Sequence, residues 1–168
     1  MLLPPDVEDH LDEYLDPVRL SHPGLRWVPS ARWHLTLEFL GECGPREVER
    51  QLGRWATRAR RAAPLTLALG GAGAYPRPWH ARVLWTGVEV DPGRWRAIAH
   101  HEQAAHLTIA RTRELGDVTG VVERLATYAG PAWQADDVAL VRSHLRPAGE
   151  RGPRYEVIER FTLGGASH

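Results

Sequence analysis

The 168-residue chain contains no lysine; all 21 of its basic residues are arginine. That absence excludes chemistry that runs through a primary amine. A P-loop needs its lysine on the phosphates, a Schiff-base enzyme needs an amine nucleophile, and an ATP-dependent nucleic-acid ligase needs a lysine to carry the nucleotidyl group. Cysteine is nearly absent too. Cys43 stands alone, so no internal disulfide can form, which fits a reducing cytoplasm. It lies in Gly41-Glu42-Cys43-Gly44, a turn-like segment where an incidental thiol is expected. Neither sign of charge is in excess, since 21 acidic residues balance the 21 basic ones. The chain therefore lacks the overall field that drives non-specific nucleic-acid binding, although a short RNA end or a small nucleotide needs only local positive charge. No apolar run approaches the roughly 20 residues of a membrane helix, and the opening residues lack the layout of a signal peptide.

The charges that are present segregate. Asp6, Glu8, Asp9, Asp12, Glu13 and Asp16 load a first helix, and Arg46, Arg50, Arg54, Arg58, Arg60 and Arg61 a second; both read as solvated faces. Nine histidines invite a metal reading, but no pair has ligand spacing. His100 and His101 are adjacent and cannot face one ion from a helix, and His80 is read into a Pro-rich loop after Trp79. No metal and no cofactor are expected.

Hydrophobic residues make up 43% of the chain and charged ones 25%, the balance of a globular domain long enough to bury a sizeable core. Val7, Leu11 and Leu15 predict a helix begun by Pro4-Pro5 and stopped by Pro17, and Leu25–Val28 a short strand. Gly44-Pro45 opens a helix with Val48, Leu52, Trp55 and Ala59 on its apolar face. Leu65, Leu67 and Leu69 alternate as a strand that the loop Gly70-Gly71-Ala72-Gly73 ends. Ala81–Val90 is a further strand and Arg94–His101 a short helix. Val118, Val121, Val122, Leu125 and Ala129 define another helix, capped by Gly130-Pro131. Val138–Leu145 and Arg154–Leu163 close as two strands around a turn over Arg146–Pro153. This mixed order predicts an α+β fold with antiparallel sheets. Residues 1–168 are expected to form a single bilobal domain, with 163–168 as a flexible tail.

One short pattern occurs twice, as His34-Leu35-Thr36-Leu37 and His106-Leu107-Thr108-Ile109. Both copies alternate apolar and polar residues as half-buried strands do; the first is expected to run over about Trp33 to Leu40, the second over His106–Arg111. On a strand, residues i and i+2 share a side. Each copy thus presents an imidazole and a hydroxyl together, with Leu35, Leu37 and Phe39, or Leu107 and Ile109, buried behind. Two histidines supply a general acid and a general base near neutral pH. The threonines add neutral donors suited to an oxyanion. Arg111 is placed to hold a phosphate, and Tyr75 to stack on a base. Trp27 and Trp33 read as core or cleft wall.

With these residues the chain resembles the two-histidine (2H) phosphoesterase superfamily, in its RNA 2',3'-cyclic phosphodiesterase branch, historically named 2'-5' RNA ligase. Leu25–Pro29 leading into Trp33–Gly41, Ala81–Trp85, Thr108–Arg111, and the ending with Leu140, Ser143, Leu145, Tyr155 and Phe161 carry the likeness over nearly the whole chain. Two features depart from it. Only Met1-Leu2-Leu3 precede the first helix, where members open with a full strand, which points to a missing strand or a misassigned start. The stretch from Trp95 to His106 is short, with Gln103-Ala104-Ala105 in place of an aromatic-Arg-Pro lead-in. The resemblance implies two pseudo-symmetric lobes with antiparallel sheets lining a central cleft and helices outside. It also implies metal-independent hydrolysis of an RNA terminal 2',3'-cyclic phosphate to a 2'-phosphate, with His34 as proton donor, His106 as base, and Thr36 and Thr108 on the phosphate. The partners implied are RNA 3' ends or small cyclic-phosphate nucleotides, with no membrane and no obligate protein partner. Two alternatives stay open. One is a cyclic phosphodiesterase acting on a small nucleotide or ADP-ribose derivative; the other is a nucleotide- or RNA-end-binding module that has lost turnover.

Overall fold

The computed structural model describes residues 1–100, 104–145 and 152–164. The turn expected over Arg146–Pro153 falls largely outside them, as does His101. Helix α1 spans Pro5–Ser21, with proline at its first position and Asp6 and Glu8 in its first turn, where the helix dipole favours acids. Its buried stripe is Val7, Leu11, Leu15 and Val18. Pro17 does not stop it. The cost of one lost backbone bond is offset by burial of Val18 at 2% exposure and by Arg19, which reaches back to Asp12 and Asp16. Helix α2 spans Pro45–Arg61 and buries Gln51, Trp55 and Ala59, leaving Val48 and Leu52 half-buried.

Strands β1 (Arg26–Trp27), β2 (Leu65–Arg77), β3 (His80–Glu89), β4 (His106–Gly116) and β5 (Ala129–Ala135) form one antiparallel sheet in the order β1-β4-β3-β2-β5. Helices α3 (Pro92–Ile98) and α4 (Thr119–Leu125) connect them, and β6 (Asp137–His144) pairs with β7 (Arg154–Thr162) as a separate antiparallel ribbon. The architecture is α+β, with Leu65, Leu67, Leu69, Leu84, Leu107 and Ile109 among the most buried core residues.

Several expectations are corrected. The glycine run 70–73 is not a loop but a bulged stretch of β2, with a register shift between Gly70 and Gly73. A Cβ on Gly73 would collide with the Trp85 indole; the glycine is what lets that ring lie on the strand. Tyr75 and His80 therefore sit on strands, not in loops. Helix α4 ends at Leu125, and Gly130-Pro131 belongs to β5, which lies at the sheet edge where a missing N–H is tolerated. Leu163, placed in a flexible tail by the sequence reading, is 3% exposed and its N–H donates to the Asp136 carbonyl.

The first histidine segment is not a strand from Trp33 to Leu40. Only Leu35 bridges, to Leu107, while it also exchanges two backbone hydrogen bonds of 2.9 Å with Met1. The chain leaves this alignment at Leu37, whose carbonyl accepts from the His100 N–H. Phe39, expected in the core, is consequently 88% exposed.

Candidate active site

Leu35 and Leu107 are antiparallel partners, 1% and 0% exposed. Neighbours of such a pair face each other in reverse order. This one contact therefore sets His34 beside Thr108 and Thr36 beside His106, on the face opposite the buried leucines. By this register each histidine stands across from the threonine of the other segment, in a local two-fold relation.

The histidines are held alike. His34 Nδ1 lies 2.8 Å from the Arg32 carbonyl and His106 Nδ1 2.9 Å from the Ala104 carbonyl. An N–H donated from Nδ1 in each case fixes the tautomer and puts the titrating lone pair on Nε2. A tyrosine packs edge-on to each ring: Tyr155 to His34 at 5.0 Å and Tyr75 to His106 at 5.2 Å. Trp85, seated over Gly73, backs both Tyr75 and His106.

Local structure explains the presentation of His34. The Trp33 indole, 2% exposed, donates to the Val28 carbonyl, and the Trp27 indole to that of His22. These bonds pin a turn over Ser30–Arg32 that delivers His34 to the cleft. Burial holds the His34 imidazole below the ordinary histidine value; the Arg32 carbonyl opposes this, and the N-terminal ammonium and Arg111 add to it.

Arg111 reaches the same face through a bulge. Trp85 pairs with Thr108 but Leu84 pairs with Ala110, which leaves Ile109 as the extra residue. The inserted residue reverses the alternation, so Arg111 joins His106 and Thr108 instead of following Leu107 inward. The six residues His34, Thr36, His106, Thr108, Arg111 and Tyr155 line one cavity of about 910 Å³ together with Arg26, Arg32 and Arg113. Tyr75 is not part of that lining; its ring packs behind His106. Sequence reasoning missed Tyr155 as a site residue, and also Arg26, Arg32 and Arg113. Only Arg113 left a signal, two residues beyond Arg111. Among the described residues no group of three or more His, Cys, Asp or Glu could hold a metal ion, and no helix is long and apolar enough to cross a membrane.

Paired histidine–threonine segments across an antiparallel seam of an α+β fold define a two-histidine phosphoesterase. The family model of LigT-like phosphoesterases matches residues 2–85, and the chain belongs to that family. It is 30% identical to an RNA 2',3'-cyclic phosphodiesterase of Thermus thermophilus, over 98% of this chain and 88% of that one. A solved structure of a Thermus thermophilus protein superposes with a TM-score of 0.79 at 30% identity, covering 99% of this chain and 96% of the other. Escherichia coli LigT in complex with phosphate gives a TM-score of 0.66 at 26% identity, covering 97% and 93%.

Proposed function

We propose that the protein hydrolyses the 2',3'-cyclic phosphate at an RNA 3' end to a 2'-phosphate, by acid–base catalysis between His34 and His106 without a metal. The observation that carries this reading is the antiparallel Leu35–Leu107 register, which puts two proton carriers and two hydroxyls around one point. His106 accepts a proton from water through Nε2 as the water oxygen bonds to phosphorus. The P–O3' bond breaks in line, and His34 delivers its proton to the departing 3' oxygen. Thr36 and Thr108 donate to the non-bridging oxygens, where negative charge grows, and Arg111 supplies the fixed positive charge. The reading agrees with the name of the Thermus relative and with the phosphate bound to Escherichia coli LigT. Among the described residues no carboxylate or thiol lines the cavity, and of the side chains that do, imidazole is the type suited to proton transfer near neutral pH. The same reading puts the protein in the cytoplasm, where Cys43 stays reduced, acting on RNA ends or small cyclic-phosphate nucleotides with no membrane or obligate protein partner.

The test is release of a 2'-phosphate from a short oligonucleotide ending in a 2',3'-cyclic phosphate, before and after dialysis against EDTA. Undiminished turnover is expected. Activity lost to EDTA and restored by Mg²⁺, Mn²⁺ or Zn²⁺ would exclude the metal-free mechanism, and a 3'-phosphate product would exclude the assigned bond cleavage.

A further inference from the structure

The cavity extends beyond the two histidines along β1 and β4, and its charge there is one-sided. Arg26 is the cross-strand partner of Arg111, which places their Cα atoms about 4.5–5.5 Å apart. Arg113 lies two residues further along β4, about 7 Å at the rise of a strand, and lines the same cavity. Like charges directly opposite each other destabilise a sheet. Some arginines elsewhere are ion-paired, as in Arg19–Asp12, Arg50–Glu47, Arg54–Glu38 and Arg160–Asp137. Among the described residues Arg26, Arg111 and Arg113 make no such pair, and no Asp or Glu is among the lining residues. A chain with 21 carboxylates to balance 21 arginines keeps every described one off this face. The guanidinium is also the cation whose fork matches phosphate oxygens.

Arg111 stands nearest the reacting centre, on the face of Thr108. We propose that Arg26 and Arg113, beyond it, form a second phosphate subsite, which takes the phosphate attached to the 5' oxygen of the terminal ribose. The site thereby selects a nucleotide end carrying a 5' phosphate group, as a diester or a monoester, over a nucleoside 2',3'-cyclic phosphate that has none. This rests on the reading that His34 and His106 act on the cyclic phosphate.

Three substrates test it: adenosine 2',3'-cyclic phosphate, its 5'-phosphorylated form, and the dinucleotide ApA ending in a 2',3'-cyclic phosphate. Both phosphate-bearing substrates are expected to exceed the first in kcat/KM by about tenfold or more, as charge-assisted contacts would give. Their log–log dependence on salt should be steeper by about 0.7 per added phosphate. In the double variant R26Q/R113Q the preference should collapse toward unity, with the far-UV spectrum confirming the fold. A higher kcat/KM for the dinucleotide alone would assign the subsite to the diester. Equal kcat/KM on all three substrates in the unaltered protein, or a preference retained by the double variant, would overturn the subsite. If none of the three is hydrolysed, the acid–base reading itself falls.

Discussion

His34 and His106 share the same backbone tether, the same edge-on tyrosine and a threonine from the opposite segment, yet they differ in burial environment. Each alanine replacement is expected to lower kcat by about 10² or more, within the 10²–10⁴ usual for positioned proton transfer. The double variant should be little worse than the worse single one, because residues that act as a unit are non-additive. Steady-state rates decide this; wild-type turnover in either single variant would refute the couple. The lowered proton affinity of His34 adds a pH signature. In the free protein the acid loses its proton below the ordinary histidine value of about 6.5, so the alkaline limb of kcat/KM should begin on that side. A bound phosphate anion raises the affinity of a nearby imidazole, so the alkaline limb of kcat should lie at higher pH than that of kcat/KM. Coincident limbs would count against His34 as the acid. These limbs are macroscopic values of a coupled pair. The histidines and threonines were legible in the sequence because a doubled motif is a local signal. Tyr155 was not, since the contact of β7 with His34 depends on how a distant ribbon packs. The packing of Tyr75 was not legible either, because nothing local shows that its ring meets Trp85 and His106.

At the level of elements, periodicity identified the helices and the strands β1 to β4 of the main sheet, but it missed β5, whose Ala129 and Gly130-Pro131 read as a helix end, and it failed where a single contact outweighs a pattern. Alternation through Phe39 implied a strand, but the first motif holds its place by one bridge and by Met1, and Phe39 turns out to solvent. Glycine was read as punctuation, whereas the run in β2 supplies close approach: Gly73 beneath Trp85, and Gly87 with a would-be Cβ 2.8 Å from the Gly70 carbonyl. The two meanings are separable by experiment. Gly73→Ala should destabilise by about 1–3 kcal/mol, the usual cost of overpacking, and lower kcat by displacing Trp85 from behind His106. Gly53→Ala, in the exposed interior of α2 with nothing within 4 Å of the new methyl, should stabilise by about 0.5–1 kcal/mol through helix propensity. Urea titrations monitored by circular dichroism measure both. A neutral Gly73→Ala would mean that the indole has room to move and that the strand does not need its glycine.

At the scale of the molecule, the site exists only where the two halves of the chain meet. His34 and Thr36 come from the first half, His106 and Thr108 from β4, and the seam between them is the buried Leu35–Leu107 contact. The β6–β7 ribbon is tied in beside it, through Gly164 N–H to the Ala59 carbonyl of α2 and through Tyr155 on His34. Neither half can bury its motif leucine alone, so the chain should unfold in one cooperative transition, as single domains do. Leu107→Ala should cost about 2–5 kcal/mol and lower that single midpoint instead of splitting it. Inorganic phosphate, bound only when both motifs are assembled, should stabilise the whole transition. At a hundredfold excess over its Kd the gain is about 2.7 kcal/mol, or a rise of roughly 5–10 °C in Tm for a chain of this size. The rise should shrink in T36V/T108V, whose volumes are nearly kept while the hydroxyl donors are lost. Scanning calorimetry with and without phosphate measures all of this. Two resolved transitions, with phosphate moving only one of them, would show that the motifs belong to separately folding units and that the cleft is not the joint product of both.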